Sequence, residues 1–166
     1  MRRKKHLCIS SGTVKLIKSI ADAKSLEGEE VGLSDWAVID QHRIDQFAEA
    51  TADHQWIHVD TERAAREMPD GKTIAHGYLT LALITTLTAD FIEVENLARV
   101  FNFGANKVRF YTPVVAGAKV RARAKLLQAR YRGGALLLTS EVRIEVEGER
   151  KPACVAEILG MYFFDE

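Results

Sequence analysis

Asp53, His54, His58 and Asp60 crowd into one short stretch, and a further histidine, His76, follows soon after. Asp53 and His58 stand five positions apart in TADHQWIHVD. A carboxylate and an imidazole brought together by a turn can hold one water between them. They can also move a proton at neutral pH, because burial and pairing draw their pKa values toward the working range. Taken singly the residues have plainer readings, since aspartates cap helices and a loop histidine need do nothing. What ties them together is IAHG at 74–77. Gly77 opens a long apolar segment, and the first N–H groups of a helix lack an internal acceptor and carry partial positive charge. A glycine there lets a ligand oxygen approach the backbone, as an oxyanion developing on a thioester enolate requires. Close packing of helix on sheet would equally ask for that glycine. His76 either packs or hydrogen-bonds at the helix start.

Other chemistries have less behind them. His54 and His58, four apart, would share a helix face and offer two metal ligands, but HExxH is absent and the segment reads as a loop. No metal and no cofactor is expected. No GxSxG occurs, and Cys8 and Cys154 sit in neither a CxxC nor a zinc spacing. Two reduced thiols are expected rather than a disulfide. With 23 basic and 23 acidic side chains, no global field draws the chain to nucleic acid. The start, MRRKKHLCISSGTVKL, is basic but has no continuous apolar run, so it does not read as a secretory signal. The apolar run Leu79–Leu87 is too short to span a bilayer. The expectation is a cytoplasmic protein that binds neither membrane nor nucleic acid.

The surrounding elements must position these groups. At 166 residues, 47% hydrophobic and 28% charged, the chain has the length and composition of one globular domain. Residues 1–12 read as a basic tail. Val14, Ile17, Ile20 and Ala21 fit one face of a helix running to Leu26. Ser34–Ile39 reads as a short strand. Asp40 is an N-cap candidate for a helix through Ile44, Phe47 and Ala48, ending near Ala50–Thr51. Asp60 caps a second helix, which Pro69, Asp70 and Gly71 end. From Gly77 to about Asp90 the chain is apolar or small on every side, the mark of a buried helix. Beyond it the period changes to two, as in Val120, Ala122, Ala124 and Leu126, and in Leu136 through Val146. Gly133-Gly134 and Glu147-Gly148 mark hairpin turns. Cys154–Phe163, apolar on both parities, reads as a central strand. Helices first and strands later predict an α+β fold, a sheet laid on one buried helix.

The runs ATADHQWIHVDTERAA and TIAHGYLTLALI resemble the MaoC-like dehydratases and (R)-specific enoyl-CoA hydratases. Their pattern is an Asp, a His five residues on, an acidic residue two further, and a hydrophobic-Ala-His-Gly. Here these are Asp53, His58, Asp60 and Ile74-Ala75-His76-Gly77. SDWAV, NKVRF and KPACVAE bring the wording near the NodN-like branch, and the resemblance covers roughly 27–163. It divides the chain into an N-terminal tail and amphipathic helix, 1–26, and a domain, 27–166. It implies a hotdog fold, an antiparallel sheet wrapped around a long central helix, and pairing as a homodimer. It implies an acyl-CoA substrate, enoyl or (R)-3-hydroxyacyl. Asp53 and His58 would activate water and protonate the α-carbon, and the Gly77 N–H would bind the thioester oxygen. Gln55 and Trp56 stand where many hydratases have Asn-Pro, and Trp56 would narrow the pocket. Thr85 falls where relatives often carry a small hydroxyl residue near the thioester, and Asn106, of the NKVRF signature, would orient the site; with Gln55, Trp56 and His76 these are the expected substrate-binding residues. Lys107, Arg109, Arg121 and Arg123 alternate with apolar residues and are candidates for the CoA phosphates. Two alternatives stand beside the hydratase. A thioester binder without catalysis would tolerate loss of Asp53 and His58. A hotdog thioesterase would need a carboxylate on the buried helix, which has none before Asp90.

Overall fold

The computed structural model describes residues 14–164; the basic tail and Cys8 lie outside the described residues. In place of one helix over Val14–Leu26 there are two short elements, β1 (Lys15–Ile17) and α1 (Ile20–Ser25). β1 pairs in parallel with β4 (Ile92–Val94). Ile17 and Ala23 are buried in the same core as the rest of the chain. Two short elements satisfied by distant partners can mimic the spacing of one amphipathic helix.

β2 (Glu30–Leu33) and β3 (Ala37–Val38) lead into α2 (Gln41–Thr51). Asp40 caps α2 as expected, its carboxylate accepting from the Arg43 N–H at 2.9 Å. The chain then turns sharply at Ala52, which takes the left-handed conformation with φ 57°. The stretch read as a loop holds one turn of helix, α3 (Trp56–Val59). Asp60 then caps α4 (Thr61–Glu67), accepting from the Arg63 N–H. α5 (Gly77–Leu87) follows.

Four long strands complete the chain: β5 (Leu97–Phe110), β6 (Lys119–Arg132), β7 (Ala135–Val146) and β8 (Cys154–Phe164). The order is β2-β6-β7-β8-β5, antiparallel throughout, with β3 also on β6. Gly133, Gly134 and Gly148 all have positive φ at the expected turns. β8 lies inside the sheet, between β7 and β5, as its two-sided apolarity implies.

The inward rows of β6, β7 and β8 pack on Leu79, Ile84 and Leu87 of α5. A sheet curled about a central helix is the hotdog arrangement. α5 is nevertheless covered on one side only: Tyr78 is 71% exposed, and Ala82, Thr85 and Thr86 are also exposed. β5 is the sheet's edge, open along almost its whole length. The expectation of a helix buried all round is therefore not met within one chain, because the sheet closes over only one face. Among the described residues, no helix is long and apolar enough to cross a membrane.

Candidate active site

The left-handed turn at Ala52 releases the chain from α2 and sets Asp53 beside the start of α5. The Asp53 side chain is about half exposed, while the side chain of His76 is almost wholly covered. One side-chain donor atom from each of Asp53, His58 and His76 lies within 4.8 Å of the others. The expected pair is thus brought together, with His76 as a third member.

Two backbone carbonyls fix the proton positions. His58 Nδ1 lies 2.6 Å from the Ile74 carbonyl oxygen. A carbonyl only accepts, so Nδ1 carries the proton and Nε2 is left with its lone pair. His76 Nε2 donates in the same way to the Asp53 carbonyl at 2.9 Å, and lies 4.0 Å from Asp53 Oδ2. Its Nδ1 is buried without a partner. The two rings stack with centroids 3.8 Å apart, and Phe47 packs on His76 from 5.0 Å. His76 therefore both packs and hydrogen-bonds, and it ties the Asp53 backbone to the first turn of α5.

Burial lowers the His58 pKa below its ordinary value of 6.5, and the nearby His76 adds to this. The bond to the Ile74 carbonyl and the Asp53 charge push the other way. The net result is an imidazole held neutral at physiological pH.

The three side chains are also the donor types of a metal site. Each ring has one nitrogen on a backbone carbonyl and the other without a protein partner among the described residues, an arrangement that suits proton transfer and is also how a metal-bound histidine is held. His54, the other ligand considered from sequence, is exposed and stands 3.8 Å from Glu49.

Gly77 is the first residue of α5, and His76 offers no side-chain cap. The first turn's N–H groups are thus left for an outside acceptor. A Cβ at position 77 would stand 3.3 Å from the Phe110 ring, a tight contact that this partly exposed ring would have to ease.

The remaining expected residues scatter. Gln55 flanks the cluster, its N–H reaching Asp53 Oδ1 at 3.4 Å. Trp56 lies under the Arg63 guanidinium, 4.0 Å from ring centroid to Cζ, and does not line the apolar cavity beside α5. Thr85 lies two turns along α5 from Gly77, on that cavity. Asn106 is on exposed β5, opposite Glu157, and is not brought to the cluster. Asp60 is occupied as a cap. Lys107 pairs with Glu157, Arg121 with Glu145, and Arg123 with Glu145 and Glu30. Among the described residues, the Arg109 side chain bonds only to the adjacent Val108 carbonyl.

Sequence reasoning missed the scaffold behind His58. Gln41 Nε2 donates to the His58 carbonyl and to Asp45 Oδ1, each at 2.8 Å, while its Oε1 accepts from the buried Thr73 hydroxyl. One glutamine thereby joins α2, α3 and the strand-like approach to α5. Nothing in its local sequence distinguishes it.

Fold and site together define a hotdog protein with a carboxylate and two imidazoles gathered at the N-terminus of its central helix. Residues 22–146 match the family model described as MaoC like domain, and the chain belongs to that family. It is 47% identical over 150 residues to the 3-hydroxyacyl-thioester dehydratase Z of Mycobacterium tuberculosis, covering 90% of this chain and 99% of that protein. It is 44% identical over 149 residues to nodulation protein N of Rhizobium leguminosarum bv. viciae, covering 89% and 92%. Among solved structures, R-hydratase PhaJ1 from Pseudomonas aeruginosa aligns with a TM-score of 0.64 at 21% identity, covering 84% of this chain and 83% of that one.

Proposed function

We propose that this protein hydrates 2-enoyl thioesters to (R)-3-hydroxyacyl thioesters, and catalyses the reverse dehydration, through Asp53 and His58. The observation that carries this is the His58 ring. Its proton is held by the Ile74 carbonyl, and its second nitrogen is free beside the Asp53 carboxylate at an uncapped helix N-terminus. The two groups hold one water. Its oxygen forms a bond to C3 as the pair takes one proton from it, and the C2–C3 π electrons move to make the enolate. The Gly77 N–H stabilises the thioester oxygen while it carries that charge. The proton held by the pair then passes to C2, so the elements of water are added and the enzyme returns to its starting state. The named activities of the dehydratase and hydratase relatives support this substrate class and the (R) product.

A CoA carrier fits the one cation of the four candidates that no carboxylate engages among the described residues, Arg109, on the strand that brings Phe110 over Gly77. The protein works as a homodimer in the cytoplasm.

The test is loss of enoyl absorbance with trans-2-enoyl-CoA substrates, followed by chiral analysis of the product. Asp53→Asn and His58→Ala should each lower turnover by about 10²–10⁴-fold. The double variant should be little worse than the worse single one, because the two act on one water. Near-native turnover in both single variants, or mainly (S) product, would overturn the assignment.

A further inference from the structure

A cavity of about 280 Å³ lies between the C-terminal half of α5 and the inner face of the sheet. Its position suits the tail of an acyl chain. Gly77, at the catalytic end of α5, and Thr85, on the cavity wall, are eight residues apart, or about 12 Å along a helix. Gly160 is central to the cavity. It stands between Leu138 and Asn102 in the register of three adjacent strands, and its missing side chain makes room for the Tyr162 ring on the cavity wall. The Tyr162 ring closes over it, 2.9 Å from where a Cβ at 160 would stand.

The lining is not what a plain hydrocarbon tail needs. Ser140 sits in the row Leu136, Leu138, Val142, Ile144 and Val146, all of them apolar and buried. It faces the cavity together with Thr85, Asn102 and Tyr162. Among the described residues, none of these four side chains has a hydrogen-bond partner in the protein. Thr85 and Asn102 are exposed, and the side-chain oxygens of the half-buried Ser140 and Tyr162 are not sealed from solvent. An alkyl tail would strip water from these groups and return nothing. A tail with an oxygen would engage them. Sites that hydrogen-bond a substrate hydroxyl discriminate strongly against the analogue lacking it.

We propose that this cavity selects enoyl thioesters whose far end carries a hydroxyl or keto oxygen, held by Ser140 and Tyr162 with Asn102 and Thr85 beside them. The proposal rests on the hydratase reading above. An extended ten-carbon acyl chain spans about 11 Å, given carbon–carbon bonds of about 1.5 Å, which matches the distance along α5.

The experiment compares kcat/KM for trans-2-decenoyl-CoA and 10-hydroxy-trans-2-decenoyl-CoA, with crotonyl-CoA as a substrate too short to reach the cavity. The hydroxylated chain should be preferred by about tenfold or more. Ser140→Ala combined with Tyr162→Phe, which removes two hydroxyls and little volume, should bring that ratio close to one. Because the readout is a ratio measured on active enzyme, partial loss of folded protein does not alter it. Crotonyl-CoA hydration with equal or better rates on the plain ten-carbon chain overturns this proposal alone, as does a preference that survives in the double variant. Failure to hydrate crotonyl-CoA or either longer chain overturns the hydratase reading, and this proposal with it.

Discussion

At the scale of single residues, the site depends on which nitrogen of each histidine holds the proton, and two main-chain carbonyls decide that. In the proposed reaction His58 must be neutral to take a proton, and burial, with His76 adding to it, sets its pKa below the ordinary 6.5. The acid limb of kcat/KM for hydration should therefore fall at a pH below 6.5. His76→Gln removes the neighbouring ring and loosens the burial, both of which depress the His58 pKa, so that limb should move upward. A limb that stays in place in His76→Gln would show that His58 is not the group titrating. Stability follows the same sign. The unfolded chain gains a proton near 6.5 that native His58 resists, so His58 contributes stability above that pH and loses it as the pH falls further. That Asp53 and His58 come together near the helix start at Gly77 was legible in the sequence, because titratable residue types at that spacing mark the segment. Gln41 and Thr73 were not, because their partners lie far along the chain and their types are ordinary. Gln41→Ala strands the Thr73 hydroxyl, which is 1% exposed, and frees the His58 backbone. It should cost about 1–3 kcal/mol in chemical denaturation, the range for a buried polar group left unpaired. A loss under 0.5 kcal/mol would mean that water replaces it.

At the scale of elements, the caps and turns were the most legible features. Asp40, Asp60 and the paired glycines act locally, so nearby residues alone determine them. The N-terminal segment was misread because β1 is held by a parallel partner, β4, whose distance along the chain no local period reveals. The short helix α3 was read as loop because one turn of four residues has no periodicity to detect. The least comfortable element boundary is the end of α2. Ala52 holds φ 57°, a conformation that costs a residue with a Cβ about 1–2 kcal/mol, and it is this turn that delivers Asp53. Ala52→Gly removes the penalty while adding some unfolded-state entropy, and should stabilise the protein by about 0.5–1 kcal/mol. Thermal unfolding checks this, and a lower midpoint would show that the Ala52 methyl contributes packing that outweighs the strain. Turnover should fall if the added freedom lets Asp53 drift.

At the scale of the whole molecule, the sheet is unfinished. β5 pairs with β8 on one side, and on its other side no strand of the described residues meets it. Its side chains include Val100, Phe101 and Phe103, the last two each 53% exposed, and Tyr78 on α5 stands open as well. A long, apolar, unprotected edge invites pairing with another strand. An identical edge related by a two-fold axis would satisfy both copies at once. It would also explain why α5, apolar all round in sequence, is covered on only one side in a single chain. The cavity beside α5 opens among Leu97, Val100 and Asn102 of the same strand, so pairing there would help to close it. Light scattering at micromolar concentration should therefore give the mass of a dimer. Phe103→Glu, which sets like charges near each other across the two-fold axis, should shift the mass toward the monomer. It should also raise KM for a long-chain enoyl thioester more than for crotonyl-CoA, because only the longer chain depends on a closed cavity. A native protein that is monomeric at these concentrations, with full activity, would show that β5 is not covered by a second copy and that the site does not depend on its being covered.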